Sequence, residues 1–108
     1  MTSKSYRKGY RFEKEVQKWL EKEGWFVVRQ GKSKFPDLIA IRKLMSGNGF
    51  RVVFIECKYN KKPSREEIMK AKELEEKYGI QFEFCIKKKG DRDFNFYGPE
   101  ELDGEDEE

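Results

Sequence analysis

No unbroken apolar run in the chain exceeds four residues, and one of these, Val52-Val53-Phe54-Ile55, continues directly into Glu56-Cys57-Lys58. Four residues are far too few to cross a bilayer or to form a signal-peptide hydrophobic region, so a soluble, intracellular, cytoplasmic protein is expected. β-Branched and aromatic residues in such a run read as a buried strand, in which side chains alternate between faces. Val52, Phe54, Glu56 and Lys58 therefore share one face, with Glu56 and Lys58 about 7 Å apart. A carboxylate at the end of a buried strand is costly unless its charge is compensated. A metal ion or a paired lysine would supply the compensation.

At 108 residues the chain suits one compact domain. It has no histidine and only two cysteines, Cys57 and Cys85. That removes zinc sites, a disulfide framework and the serine–histidine and cysteine–histidine nucleophile systems. Any catalysis must use carboxylates, lysines, arginines, hydroxyls or a hard metal ion.

All 24 lysines and arginines lie in residues 1–99 with 14 of the 21 acids, so this body carries a formal charge of +10. The last nine residues hold seven acids and no base. A small body with that charge implies a polyanionic partner, most simply nucleic acid, bound through phosphate neutralisation. The alternative reading is a charged surface adapted to heat.

Phe12, Val16, Trp19 and Leu20 form one helical stripe between Tyr10 and Glu23, with Gly24 as its stop. Strands are expected over residues 25–29, 37–42 and 51–58, the last two joined as a hairpin by the Ser46-Gly47-Asn48-Gly49 turn. Ser64 with Glu67 is a capping-box pair that opens a second helix, whose stripe is Ile68, Ala71, Leu74 and Tyr78. Alternation at Phe82, Phe84 and Ile86, and again at Phe94 and Phe96, predicts two more strands. The layout is α/β, with the order α-β-β-β-α-β-β in one domain over residues 1–99. Residues 100–108 read as an acidic, solvated or disordered tail.

If the hairpin forms, Asp37 at the start of one strand lies beside the end of its partner, so Asp37, Glu56 and Lys58 meet at one edge of the sheet. Two carboxylates at one point suit a hard cation with oxygen ligands, as Mg²⁺ prefers, and leave positions for phosphate and water. The lysine adds a positive charge to orient a water or to stabilise developing phosphoryl charge. Glu13 borders the buried stripe of the first helix. It reads either as a third acid of this cluster or as a surface carboxylate paired with Lys14 or Lys18. Asp37 taken alone also reads as a turn residue, and Glu56 with Lys58 as a simple salt bridge.

Pro36-Asp37 followed by Glu56-Cys57-Lys58 on adjacent strands after an N-terminal helix resembles the PD-(D/E)xK nuclease superfamily. Within it the chain is most similar to archaeal-type Holliday-junction resolvases, through Arg7-Lys8-Gly9, Phe12-Glu13, Val27-Val28-Arg29, Ser33 and Asp37-Leu38-Ile39-Ala40. The likeness extends over roughly residues 5–99. It implies a restriction-endonuclease-like core with a mixed central sheet flanked by helices. It also implies a metal-dependent endonuclease, using Mg²⁺ with Mn²⁺ as a substitute, that acts as a homodimer on four-way DNA junctions and makes paired cuts. By the same resemblance, Glu13, Asp37 and Glu56 form the acidic set around the metal, Lys58 assists the water, and Arg29 and Ser33 approach the scissile phosphate. The 18 residues between Asp37 and Glu56 and the acidic tail depart from the compact resolvase pattern.

Arg7, Lys32, Lys34, Lys61 and Lys62 read as DNA-phosphate contacts, and the last four, like the run Lys87 to Lys89, equally as solvated charge. Two further readings stay open: a repair or restriction-like nuclease of the same superfamily with another DNA substrate, and a non-catalytic DNA-binding module.

Overall fold

A computed structural model describes residues 4–31 and 34–103, with side chains from residue 7 onward. Helix α1 spans Lys4–Lys22, and β1 (Phe26–Arg29), β2 (Leu38–Lys43) and β3 (Phe50–Tyr59) follow it. Helix α2 (Arg65–Tyr78) leads to β4 (Gln81–Lys87), β5 (Asn95–Tyr97) and the short α3 (Pro99–Leu102). The five strands form one sheet in sequence order. Neighbours pair antiparallel except β3 and β4, which are parallel and joined by α2. This is the expected α/β layout with one added helix.

The strand alternation assigns the two faces. Val53 and Ile55 of β3 join Val27, Leu38, Ala40 and Cys85 beneath Phe12, Val16 and Leu20 of α1. Phe82 and Phe84 of β4 lie on the other face beneath Ile68 and Ala71 of α2, together with Leu102. Burial of these side chains on both sides makes β3 and β4 the centre of a three-layer structure.

Local signals act where they were expected. Ser64 Oγ accepts from the Glu67 N–H at 3.1 Å and Glu67 Oε1 accepts from the Ser64 N–H at 2.9 Å, so the capping box closes both ways. Gly79, at φ +67°, ends α2 in the left-handed conformation and donates to the Glu75 carbonyl at 2.8 Å. The 44–49 turn closes with the Leu44 N–H on the Gly49 carbonyl.

Three expectations change. Helix α1 is already formed at Lys4, well before Tyr10. Trp19 stays partly exposed and packs edge-on against Phe94 at 5.7 Å, while Tyr78 is mostly exposed. The acidic C-terminal segment does not become a solvated tail at residue 100: α3 is folded and Leu102 is buried against α2 and β4. Leu102 is the one apolar residue among the acids, and together with the fully buried Pro99 it docks this turn against α2 and β4. Residues 104–108 lie outside the described residues. Among the described residues no helix is long and apolar enough to cross a membrane.

The pairing registers bring one set of termini together. Arg29 at the end of β1 faces Leu38 at the start of β2, and Leu38 faces Ile55 near the end of β3. The parallel β4 ends beside β3, with Tyr59 opposite Lys87. Leu102→Ala should lower unfolding stability by about 2–5 kcal/mol in denaturant titration. A fully solvated C-terminal segment would show no change.

Candidate active site

Beyond Leu38, β2 leaves the regular ladder, and side chains take over its hydrogen bonds. The Asp37 N–H donates to Glu56 Oε1 at 3.0 Å, and the Cys57 N–H donates to Asp37 Oδ2 at 2.9 Å. Each carboxylate thus accepts from the backbone of the other strand. Gln30, directly after β1, fixes the same segment: its N–H donates to the Asp37 carbonyl at 2.9 Å, and Nε2 donates to the Pro36 carbonyl at 2.8 Å.

Glu56 and Lys58 are only 7% and 8% exposed. Lys58 Nζ lies 3.8 Å from Glu56 Oε2 but 2.6 Å from Glu67 Oε2, so its nearest partner belongs to the capping box of α2. The simple Glu56–Lys58 salt bridge is therefore a looser part of a three-residue arrangement. Glu13 reaches the site from α1. Its partner is Arg29, whose Nε donates to Glu13 Oε1 at 3.2 Å. The Arg29 guanidinium also lies over the Tyr10 ring at 4.4 Å, so Tyr10 supports the arginine from the side.

Burial raises the Glu56 carboxyl from its ordinary value to about 8, the Asp37 charge adds to the rise, and Lys58 opposes it. Burial likewise raises Asp37, against the Cys57 N–H and Lys58. Glu13 is raised by burial and by the Asp37 charge, with Arg29 opposing. Burial also pushes Glu67 up, but Lys58 and the Ser64 cap outweigh it and leave this carboxyl below its ordinary value. The Cys57 thiol, on the α1 face, is pushed well up by burial and the nearby Cys85, which suits a core side chain.

The structure thus brings Glu13, Asp37, Glu56, Lys58 and Arg29 to one end of the sheet. Lys61 and Lys62 follow β3 there and are exposed, as is Lys34 ahead of Asp37. Arg7 is exposed on the first part of α1. Lys87 is held by Glu15 through Nζ at 3.1 Å. Lys32 and Ser33 lie outside the described residues. Glu67, Gln30 and the supporting role of Tyr10 were missed by sequence reasoning. Only Glu67 carried a signal: as the closing residue of a capping box it has one oxygen to spare, and its helix starts seven residues after Lys58.

Among the described residues, no three acids converge closely enough to form a ready-made metal cage. The donor chemistry nevertheless fits a hard divalent cation. Asp37 and Glu56 are adjacent, the first half-buried and the second buried, and the Asp37 charge repels that of Glu56, while the charge of Lys58 is committed mainly to Glu67. A cation would relieve that repulsion.

The five-stranded mixed sheet between helices, with these acids at one end, has the restriction-endonuclease-like architecture. A family model described as archaeal Holliday junction resolvase (Hjc) matches residues 4–108. The crossover junction endodeoxyribonuclease Hjc of Methanocaldococcus jannaschii is 39% identical over 90 residues, covering 80% of this chain and 63% of that protein. The match therefore spans less than two thirds of that relative. The solved Holliday junction resolvase Hjc of the hyperthermophile Archaeoglobus fulgidus superposes with a TM-score of 0.64 at 25% identity, covering 86% of this chain and 74% of that one. The chain belongs to the archaeal Holliday junction resolvase family.

The raised carboxyls set a pH dependence. A folded-state Glu56 near 8, against an ordinary 4.5, keeps a proton that the unfolded chain releases. Its contribution is whole below about pH 4.5 and is lost as pH rises through about 8. Melting of the metal-free protein should therefore show a lower Tm at about pH 8 than at about pH 5, and Glu56→Gln should shrink that difference. An equal difference in the variant would contradict the assignment.

Proposed function

We propose that the chain is a divalent-metal-dependent, structure-selective DNA endonuclease that resolves four-way junctions by paired cuts as a homodimer. The observation that carries this reading is the hydrogen-bonded pairing of half-buried Asp37 with buried Glu56 beside Lys58, at the end of the sheet that Arg29, Lys61 and Lys62 adjoin. Family membership supports the junction as substrate, and the +10 charge of residues 1–99 supports a DNA partner.

Asp37 and Glu56, with Glu13 as the third acid, would hold Mg²⁺, for which Mn²⁺ can stand in. When bound, such an ion polarises the phosphoryl oxygens and lowers the pKa of water. Arg29 is held at Nε by Glu13 and on its face by Tyr10, which leaves its terminal nitrogens to bind a phosphate oxygen. Ser33 assists at the same phosphate. Lys58, fixed beside Glu56, orients the attacking water and offsets negative charge developing on the phosphoryl group. Arg7, Lys32, Lys34, Lys61 and Lys62 bind flanking phosphates and hold the DNA in register.

Paired cuts need two sites, and the uncovered sheet face offers a way to join them. Among the described residues, helices α2 and α3 cover β4 and β5, and no helix packs on β1 and β2 on that side. Phe26, Val28, Ile39, Ile41, Val52 and Phe50 follow one another there in register, and Phe26 and Phe50 are each 69% exposed. A contiguous apolar face of this kind suits a symmetric contact with a second copy.

A synthetic four-way junction should be cut in symmetric pairs in Mg²⁺ and left intact in chelator, and linear or flap DNA should be cut less well. Asp37→Asn or Glu56→Gln should lower the rate by about 10³-fold or more while junction binding persists. Full cleavage by either variant would remove the mechanism, and equal cutting of all substrates would remove the junction preference. Combined Phe26→Asp and Val28→Asp should shift the protein from dimer to monomer in sedimentation and uncouple the two cuts. A dimer unchanged by this pair would place the contact elsewhere.

A further inference from the structure

We infer that Glu67 is a positioning residue for Lys58, so that the cap of α2 also acts as a clamp on the lysine of the candidate site. The inference rests on the nuclease reading and adds a residue outside its motif.

Lys58 carries a long, flexible side chain, and a charged group that must act at one point gains from a partner that removes its freedom. Its nearest acid is Glu67, with Nζ to Oε2 at 2.6 Å, against 3.8 Å to Glu56 Oε2. Glu67 can do this because its own carboxylate is anchored. Oε1 accepts the Ser64 backbone N–H at 2.9 Å, and the Glu67 N–H is held by Ser64 Oγ at 3.1 Å. One oxygen fastens the helix start and the other fastens the lysine. With its ammonium held by Glu67, Lys58 stays close to Glu56 without closing into a tight pair with it. The oxygen of Glu56 that does not accept from Asp37 is thereby kept for a ligand.

The two roles of Glu67 separate by mutation. Glutamine closes a capping box as glutamate does, so Glu67→Gln keeps the helix cap and removes the negative charge that holds Lys58. Ser64→Ala removes the hydroxyl cap but retains the backbone N–H that anchors the carboxylate. Single-turnover cleavage of a synthetic four-way junction in Mg²⁺ should slow about tenfold in Glu67→Gln, with junction affinity and Tm near wild type. Ser64→Ala should melt earlier yet cut at close to the wild-type rate below its transition. Wild-type cleavage with an unchanged Glu67→Gln rate overturns this inference alone, and absence of wild-type cleavage overturns it together with the nuclease reading. A loss of rate that accompanies loss of fold in Glu67→Gln, or that Ser64→Ala reproduces, assigns Glu67 to the helix cap only and also overturns the proposal.

Discussion

A slip of one residue in the pairing of β2 with β3 would turn Glu56 and Lys58 from the α2 face to the α1 face, because side chains alternate with a period of two. The register Leu38 opposite Ile55 is therefore the constraint on which the site depends. It is held from both directions. Leu38, Ala40, Val53 and Ile55 are buried under α1, which fixes one face. The exchange of carboxylates and N–H groups between Asp37 and the Glu56–Cys57 segment continues the pairing past the last regular rung. The same two acids thus align the strands and form the acidic pair of the candidate site.

Gathering acids at a buried edge has an electrostatic cost, and the chain meets only part of it. Arg29 answers Glu13 and Lys58 answers Glu67, both across partly buried distances. Asp37 and Glu56 are left with backbone N–H donors and a lysine at longer range, and burial raises both carboxyls. Backbone donors reduce the penalty of desolvation without cancelling the charge. An edge that is over-supplied with carboxylate oxygen suits an incoming cation, and the basic residues around it suit the phosphates that would come with one.

Much of the architecture was readable from local pattern. The capping box at Ser64, the glycine after α2, the hairpin turn and the shared face of Glu56 and Lys58 are all as the spacing implied. The pairing of Glu13 with Arg29 was not. Helix-surface spacing favoured Lys14 or Lys18, but the strand that follows α1 brings Arg29 closer than its helical neighbours. Leu102 was hidden in the same way: its composition is that of a tail, and only the open end of the α2 face makes its burial favourable. Trp19 has the spacing of a core residue, yet it sits at the margin of α1 and finds its partners in Phe94 and Phe96.

From the sequence alone came the element order, the acid–acid–lysine motif and the basic body, since periodicity and charge are properties of neighbouring residues. Tertiary structure decided which charges meet. It set Glu67 over Lys58, Arg29 against Glu13 and Gln30 on the backbone before β2, across separations from 6 to 16 residues. Such contacts follow from how layers stack and where loops return the chain. Local spacing hints at the Glu67 contact and at neither of the other two, because the same residues would have other neighbours if α2 began a turn later or β1 ended a residue sooner.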